Sequence, residues 1–303
     1  MVAPATPATQ PRAFAGWLAR PRSLSVTLPA AATAAAFVIL FSNPAMSLAR
    51  EWLGDSGDSG YGLLLFPVAL WLAWRDGIHA DATPNPRAGT FLLIGAALLR
   101  ALGSLAAELY SQRLAIWLAI FGLVVFTCGW RQIRHWWLPL TLLVLSIPLP
   151  AVITNYLTIP LQFQASALGA GMIRWRHIPV VASGNVIDIP GQRLFVAEAC
   201  SGLRSLTALL ALGVMIGGMY LTTIPSRILL LLFAIPVAVL VNGVRIFLTA
   251  FLMYFVDPSL GRGLQHERVG WALFLVSFAI LGGIGAVVRI GERRVLRLAG
   301  RDA

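Results

Sequence analysis

Long apolar stretches and short polar segments alternate along most of this chain of 303 residues. Several of the apolar stretches approach or exceed the roughly 18–20 residues with which an α-helix crosses a bilayer. The pattern therefore predicts an all-α polytopic membrane protein with about eight transmembrane helices. The predicted spans cover residues 25–42, 61–75, 90–107, 114–130, 137–153, 202–222, 228–253 and 271–288.

The first of these spans has two interpretations. Its alanine-rich run follows Arg12, Arg20 and Arg22, an arrangement that is also found in cleaved signal peptides. Pro44 and the long polytopic remainder favour a first helix that is retained in the membrane. The chain then divides into a cytoplasmic N-terminal tail (1–24), a single transmembrane domain (25–288) and a basic cytoplasmic tail (289–303).

Composition agrees with the membrane class and gives the orientation. The chain is 58% hydrophobic and 12% charged, whereas soluble domains carry about 25% charged residues. The net charge of +11 comes entirely from arginine, since there is no lysine. The arginines cluster at loop edges, so the charge orients the protein in the membrane and nucleic acid is not a predicted partner. In the short loops, Arg131, Arg134 and the tail from Arg289 favour cytoplasmic N- and C-termini.

This orientation puts one long segment, 154–201, on the outer face as a small insertion before the sixth span. Pro160 is predicted to open a helix that lies in the interface or re-enters the bilayer. Three short strands with turn signals between them are then expected to form a β-meander that leads directly to Cys200. The strands cover 179–182, 186–189 and 193–197, and the turns are Ser183-Gly184-Asn185 and Pro190-Gly191-Gln192.

Cys200 is the first candidate for chemistry. It lies in Glu198-Ala199-Cys200-Ser201-Gly202-Leu203-Arg204, directly before the sixth span. At the start of a helix, free backbone N–H groups and the helix dipole favour a thiolate and help to hold an oxyanion. Burial raises the pKa of a thiol, so a thiolate here needs a nearby cation. The alternative is that Cys200 packs as a small apolar residue.

The other cysteine, Cys128, is predicted to lie at the opposite membrane face and to serve in packing. A disulfide between Cys128 and Cys200 is therefore not expected, and the cysteine spacing matches no zinc site. We expect neither a metal nor a cofactor.

Arg245 is the second candidate, because it lies inside an apolar stretch, in Asn242-Gly243-Val244-Arg245-Ile246. An arginine near the middle of a membrane helix costs about 2.5–3.5 kcal/mol on insertion scales and usually faces a polar cavity or a partner. Asn242 lies one turn earlier on the same face and supports such a polar stripe. The alternative is that Arg245 extends towards the outer headgroups. In the first interpretation, Arg245 is the cation that Cys200 needs.

His266 is the third candidate, because it precedes the last span at the membrane face predicted for Cys200. With a reference pKa of about 6.5, a histidine can take a proton from a thiol and return it to a leaving amine. The alternative is a solvated interfacial histidine beside Glu267 and Arg268.

The remaining polar candidates are weaker. His177 is on the predicted outer face and remains a substitute for the base, whereas His79 and His135 fall on the cytoplasmic side. Glu198 is suited to orienting a base or binding substrate, but a salt bridge with Arg204 is an equal alternative.

At these residues the chain resembles the exosortase/archaeosortase family of polytopic membrane cysteine enzymes. The resemblance covers about residues 50–290. It is carried by the motif around Cys200, the motif around Arg245, and His266 followed by Gly270-Trp271. The segment Gly60-Tyr61-Gly62 through Leu70-Trp71-Leu72-Ala73-Trp74-Arg75 is also similar to the family.

The resemblance implies a cysteine transpeptidase or endopeptidase that processes C-terminal sorting signals of the PEP-CTERM type. Such a signal consists of a short Pro-Glu-Pro-like motif, one transmembrane helix and a basic tail, and in bacteria it often accompanies exopolysaccharide production. Carried over by motif, Cys200 is the nucleophile, Arg245 the charge stabiliser and His266 the general base and acid. The supporting or substrate-binding positions are Glu198, Ser201, Arg204 and Asn242.

The resemblance also implies the partners and the location. The partners are membrane-anchored substrate proteins, an acceptor amine or water, and the lipid bilayer. The implied location is the bacterial inner membrane, with the site facing the periplasm.

Two other functions stay open at this point. A transporter or channel would line its pathway with Arg245 and Asn242, but the chain has no paired broken helices in two matching halves. A non-catalytic scaffold of an exopolysaccharide-export system would tolerate replacement of Cys200, Arg245 and His266.

Overall fold

The structure is a computed structural model that describes residues 24–54, 60–196, 203–257 and 263–300. Some helical residues are described by their backbone only, namely 24–34, 36, 151, 155, 203, 204 and 263–267. The chain divides into two compact units, Met1–Pro148 and Leu149–Ala303.

The described part of the first unit is helical. Its helices are α1 (Leu24–Leu53), α2 (Tyr61–Asp76), α3 (Pro86–Leu105), α4 (Leu109–Cys128), α5 (Trp130–His135) and α6 (Trp137–Leu145). The first four overlap the first four predicted spans, although α3 and α4 end two residues early and α1 continues past Pro44. Small residues let α3 and α4 approach closely, since a Cβ atom on Gly89 would lie 2.5 Å from the Cα atom of Phe126.

The predicted fifth span, 137–153, is wrong in its extent. Helix α6 ends at Leu145, and the segment Ser146–Pro150 separates it from the next helix. Two prolines, Pro148 and Pro150, explain the break, because proline lacks the N–H that a helix interior needs and disfavours helical geometry in the residue before it.

The second unit begins with α7 (Ala151–Trp175), for which the predicted start was also wrong. We expected Pro160 to open this helix, whereas Pro160 lies inside it and Pro150 occupies the N-cap position. A proline inside a helix is tolerated in membrane proteins where neighbouring groups satisfy the freed backbone carbonyl.

Three antiparallel strands follow, as predicted, with bounds that differ by no more than about two residues. They are β1 (Val181–Ser183), β2 (Val186–Ile189) and β3 (Gln192–Phe195), in the spatial order β1-β2-β3. The register pairs Ser183 with Val186 across the first turn and Ile189 with Gln192 across the second. Each turn has a glycine with positive φ, 61° at Gly184 and 74° at Gly191, which glycine adopts without strain.

Three long helices complete the second unit: α8 (Leu203–Tyr220), α9 (Ile224–Phe255) and α10 (Gly263–Leu298). Helix α9 is central, because it contacts α7, α8 and α10. One apolar cluster joins α9 to α7 and the sheet, and a second joins α9 to α8 and α10. Residues 289–298, predicted to belong to a basic tail, continue α10 as a helix.

Within the described residues, four helices are long and apolar enough to cross a membrane. They are Pro86–Leu105, Leu109–Cys128, Ile224–Phe255 and Arg268–Leu298, and the shorter Ser205–Tyr220 is also apolar. The predicted class, a mostly helical membrane protein with several spans, is therefore confirmed. The number of eight spans stays a prediction.

The start of α4 gives a prediction about pH. The carboxylate of Glu108, the N-cap residue, accepts hydrogen bonds from the N–H groups of Tyr110 (2.7 Å) and Ser111 (2.6 Å). A hydrogen bond from the Ser111 side chain, together with these two backbone bonds, lowers the pKa of Glu108 below its usual value. Because the folded-state pKa is lowered, the stabilisation is present above the unfolded pKa of about 4.3 and is lost as pH falls through the folded value.

We expect Glu108→Gln to lower the thermal unfolding midpoint slightly at pH 7, because an exposed cap contributes on the order of 1 kcal/mol or less. The difference from the parent should shrink below pH 4. Midpoints in detergent between pH 3 and pH 7 measure it, and a difference that stays constant over this range would contradict the assignment.

Candidate functional site

The structure describes only part of the predicted site. Arg245 and Asn242 are described with their side chains, on α9. Arg204 and His266 have described backbone positions in the first turns of α8 and α10, but their side chains lie outside the description. Glu198, Cys200 and Ser201 lie outside the described residues.

Arg245 lies against α10 at Gly270. A Cβ atom built on Gly270 would lie 2.9 Å from Nη2, 3.0 Å from Cζ and 3.4 Å from Nη1 of Arg245. The guanidinium therefore occupies the space that any other residue at position 270 would need for its side chain. His266 lies one turn before Gly270 on α10, so the two positions share a helix face. The arrangement brings the cation of α9 to the turn of α10 on which the predicted base is found.

The same segment of α9 packs closely on α7 through glycines. A Cβ atom on Gly243 would lie 2.9 Å from Cβ of Leu168, and one on Gly169 would lie 2.6 Å from Cγ2 of Ile246. Close helix contacts of this kind depend on residues without side chains. Helix α9 is thus held against α7 and α10 at neighbouring residues of the motif that contains Arg245.

Polar groups accompany Arg245 along α9. Asn242, predicted to share its face, is buried, with 5% of its surface exposed. The hydroxyl of Thr249 donates a hydrogen bond of 2.9 Å to the carbonyl oxygen of Arg245, one turn earlier. Buried polar groups in an apolar helix need such partners, because burial without them is costly.

The last strand of the sheet begins beside the end of α9, and the chain after it lies near the part of α9 that contains Arg245. Near its start, β3 contacts the end of α9, where the side-chain amide of Gln192 donates to the carbonyl oxygen of Met253 (3.3 Å). After β3, Val196 is buried in the same apolar cluster as Ile246, the neighbour of Arg245. The backbone N–H of Val196 donates to the carbonyl oxygen of Asn185 (2.8 Å), which holds this point of the chain to the sheet. Val196, two residues before Glu198, thus packs in the same apolar cluster as Ile246 of the Arg245 motif.

The other histidines have structural surroundings. The rings of His79 and His135 lie edge to face, 5.4 Å apart, and Nε2 of His135 lies 2.9 Å from the carbonyl oxygen of Asp76. Gln132, which is fully buried, accepts the N–H of His79 and donates to the carbonyl oxygen of Gly77. His177, the substitute candidate for the base, is exposed after the end of α7.

A separate polar cavity of about 550 Å³ lies in the first unit and contains none of the predicted site residues. It is lined by Asn43, Met46, Ser47, Arg50, Glu51 and Arg113. Arg113 is buried there and forms an ion pair with Glu51 and a hydrogen bond of 2.9 Å with Ser47. Among the described residues no group of His, Cys, Asp and Glu is suited to hold a metal ion.

Sequence reasoning missed the burial of Arg113, and it also missed a second buried charge, Glu292. It is 7% exposed, and its carboxylate accepts hydrogen bonds from the segment that precedes α9. The available signal was a carboxylate directly before Arg293 and Arg294 in the predicted basic tail, a residue that the sequence analysis did not single out.

Comparison with known proteins bears on this arrangement. A family model described as "Transmembrane exosortase" matches residues 52–283, which is more than half of the chain and includes all the predicted site residues. No curated protein and no solved structure matches the chain.

Proposed function

The chain belongs to the transmembrane exosortase family, and from this premise we propose that it is a membrane cysteine transpeptidase or endopeptidase of C-terminal sorting signals. Its substrates are exported proteins that end in a Pro-Glu-Pro-like motif, one transmembrane helix and a basic tail. The observation that carries the proposal is the contact between the guanidinium of Arg245 and the Gly270 turn of α10, one turn from His266.

Chain length supports a role for Cys200 at this contact. Cys200 follows Val196 by four residues and precedes Leu203, the first residue of α8, by three. An extended chain spans at most about 3.6 Å per residue, so the Cα atom of Cys200 lies within about 14 Å of that of Val196. Val196 packs in the cluster of Ile246, next to Arg245. This short tether supports the proposal that the thiol reaches the guanidinium.

In the proposed reaction, His266 takes the proton of the Cys200 thiol as the sulfur attacks the carbonyl carbon of the scissile peptide bond. The resulting oxyanion is stabilised by Arg245 and by free N–H groups at the start of α8. As the C–N bond breaks, His266 returns the proton to the leaving amine, and a thioester on Cys200 remains. An acceptor amine, or water, then attacks this thioester and releases the processed protein with the thiol restored.

The supporting positions have smaller proposed roles. Asn242, buried one turn before Arg245, orients the guanidinium or the substrate. Glu198, Ser201 and Arg204 flank the nucleophile and contact the substrate next to the cleavage site. No metal or cofactor enters this chemistry.

We place the site at the periplasmic face of the bacterial inner membrane, with the N- and C-termini in the cytoplasm and about eight spans. In this topology the insertion 154–201 is periplasmic. Arg245 then lies about 15 Å from the end of α9 at Phe255, counted at 1.5 Å per residue. Because the 32 residues of α9 are longer than a hydrocarbon core of about 30 Å, we place the Phe255 end beyond the core and Arg245 inside its outer half. A site at this depth has access both to a substrate helix in the lipid and to an aqueous acceptor.

Mass spectrometry of a co-expressed substrate tests the proposal. We expect a protein with the three-part tail to lose its transmembrane helix and basic tail when the enzyme is present, through one cut at or near the Pro-Glu-Pro-like motif. The mass of the new C-terminus distinguishes hydrolysis from transfer to an amine. A tail that stays intact in the presence of inserted enzyme would contradict the proposal.

Gly270→Ala should reduce processing by about tenfold without loss of stability. The new Cβ atom would lie 2.9 Å from Nη2 of Arg245, so the guanidinium has to move, and small displacements of a reacting group are costly in rate. The fold should tolerate the change, because the atom displaced is the far end of a flexible side chain and alanine favours a helix over glycine. The rate of tail removal in membranes measures the effect.

Gly283→Ala is the matched control on the same helix. A Cβ atom on Gly283 meets no atom within 4 Å, so this variant gains the same helix propensity without touching Arg245. We expect it to process the tail at the parent rate. Equal rates for Gly270→Ala and Gly283→Ala would mean that the guanidinium position does not matter for the reaction.

A further inference from the structure

Helices α9 and α10 contact each other at a single, uniform register over their length. Thr223 and Glu292 meet at one end, Leu230 and Gly285 meet about two turns further, and Arg245 and Gly270 meet near the other end. From one contact to the next, the number of residues advanced along α9 equals the number of residues moved back along α10, as in a regular antiparallel pair. The register that brings Arg245 to Gly270 is therefore the register that brings Glu292 to Thr223.

The apolar middle of this pair specifies the register only weakly. Its contacts come from a cluster that includes Leu230, Ala234 and Leu281, all fully buried. In a membrane such contacts add little specificity, because lipid tails are as apolar as these side chains. A buried polar contact is different, because a shifted register would leave its groups unsatisfied.

Glu292 makes such a contact at the end far from Arg245. Its carboxylate accepts the backbone N–H of Thr223 (2.6 Å), the N–H of Thr222 (3.2 Å to each oxygen) and the hydroxyl of Thr223 (2.6 Å). Thr223 is the N-cap residue of α9 and makes no capping bond with its own side chain. Glu292 thus caps α9 from another helix, where the helix dipole favours a negative charge. The contact is geometrically strict, because these backbone N–H groups occupy one position only.

A shift of register would remove the space that Arg245 uses. One residue along a helix is a step of about 1.5 Å and a rotation of about 100°. The neighbours of Gly270 are Val269 and Trp271, so in either direction a larger side chain takes the place of the glycine. His266 would move with the same turn.

We propose that Glu292 is a positioning residue that fixes the register of α10 on α9 and thereby holds the Gly270 turn against Arg245. It acts over about 33 Å of helix, at about 1.5 Å per residue, which is the thickness of a bilayer. The consequence for catalysis rests on the proposed function, whereas the consequence for register does not.

Disulfide trapping tests the register without reference to activity. Leu230→Cys with Gly285→Cys gives a pair that is in register, and Leu230→Cys with Gly282→Cys gives a pair one turn away, both with Cys128→Ser and Cys200→Ala. In the parent, mild oxidation should favour the first pair. With Glu292→Gln, which leaves one acceptor oxygen and no charge, we expect the ratio of the first pair to the second to fall severalfold.

Processing kinetics test the effect on the site. We expect Glu292→Gln to lower kcat by about tenfold or more, because the reacting groups lose their alignment, with a smaller change in KM. A merely structural role would reduce the amount of folded enzyme and leave kcat per folded molecule unchanged. Arg293→Gln is the matched control, since it changes one charge in the same turn at an exposed side chain.

Each outcome decides the proposal. A trapping ratio and a kcat within twofold of those of Arg293→Gln would overturn it. If Glu292→Gln does not accumulate in the membrane, the trapping ratio and kcat of Thr223→Val are measured in its place. This variant removes the hydrogen bond from the Thr223 hydroxyl to Glu292, together with its contact with Ser226. If the parent itself leaves the sorting tail intact, the proposed function fails, and the trapping ratio alone decides whether Glu292 sets the register.

Discussion

Replacing Cys200 by alanine is expected to abolish removal of the sorting tail, by about 10⁴-fold or more. The expected loss is this large because no thioester can form without the sulfur, and removing a nucleophile eliminates nearly all rate enhancement of covalent enzymes. The measurement is the intact mass of a co-expressed substrate with a three-part tail, together with the amount of enzyme in the membrane. The variant should insert normally, since one sulfur atom contributes little to a helical membrane fold.

Cys128→Ala is the control for this experiment. Cys128 is the other cysteine of the chain and lies at the end of α4, in the first unit, with its sulfur 3.5 Å from the hydroxyl of Thr127. We expect this variant to process the tail at the parent rate, and we expect a thiol-reactive substrate peptide to label the parent and Cys128→Ala but not Cys200→Ala. Normal processing by Cys200→Ala would rule out covalent catalysis at this thiol and favour the transporter or scaffold interpretation.

Replacing Arg245 by lysine is expected to lower kcat by about 10²–10³-fold, although the charge is retained. Three atoms of the guanidinium lie within 3.4 Å of the place that a Cβ atom on residue 270 would occupy. The space left by Gly270 between α9 and α10 is therefore filled by a planar group with several N–H donors. An ammonium group is a compact point charge and does not reproduce this geometry. Loss of a single oxyanion donor typically costs a factor of this size.

Arg113→Lys provides the comparison for Arg245→Lys. Arg113 is likewise an arginine on a candidate membrane span, but it is buried, pairs with Glu51 and belongs to the first unit, which contains none of the predicted site residues. Single-turnover cleavage in membranes, normalised to folded enzyme, separates the two. Equal losses for both variants would indicate a general requirement for arginine in the membrane helices and not a role of Arg245 in the reaction.

The helical membrane class was predictable from the sequence because the bilayer sets the length of an apolar helix. Helices α2, α8 and α9 begin and end within a few residues of the predicted spans. The β-meander was predictable as well, since two glycine-containing turns separate short runs of alternating residues.

The errors in the fifth span and in the start of α7 came from proline, whose effect depends on its surroundings. Pro148 and Pro150 interrupt an apolar stretch that hydropathy alone joins into one span, whereas Pro160 is accommodated inside α7. The same residue type thus ends one helix and lies within another. A proline leaves one backbone carbonyl of the helix without its N–H donor, and the helix continues only where neighbouring groups satisfy that carbonyl. Which groups are neighbours is decided by the folded chain and not by the local sequence.

The residues of the site also divide into those that the sequence indicated and those that only the folded chain revealed. Arg245 and Asn242 were identifiable because polar residues in an apolar helix are costly and call for a reason. Gly270 attracted attention only through the family motif, and the space it leaves for the guanidinium is visible only when α9 and α10 are seen together. Glu292 gave no distinct signal, because among four nearby arginines a carboxylate has the composition of a solvated surface.

By itself, the sequence determined the membrane class, the order of the apolar segments, the short sheet before α8 and the three residues proposed for the chemistry. The class, the segments and the sheet follow from hydropathy and turn chemistry, Arg245 from the cost of a charge in lipid, and Cys200 and His266 from their places in the sequence and the family motifs. Only the tertiary structure decided that α9 and α10 pair at the register that joins Arg245 to Gly270 and Thr223 to Glu292. The physical reason is that apolar helix faces in a bilayer fit one another at many registers, so a few close and polar contacts select the one that is formed.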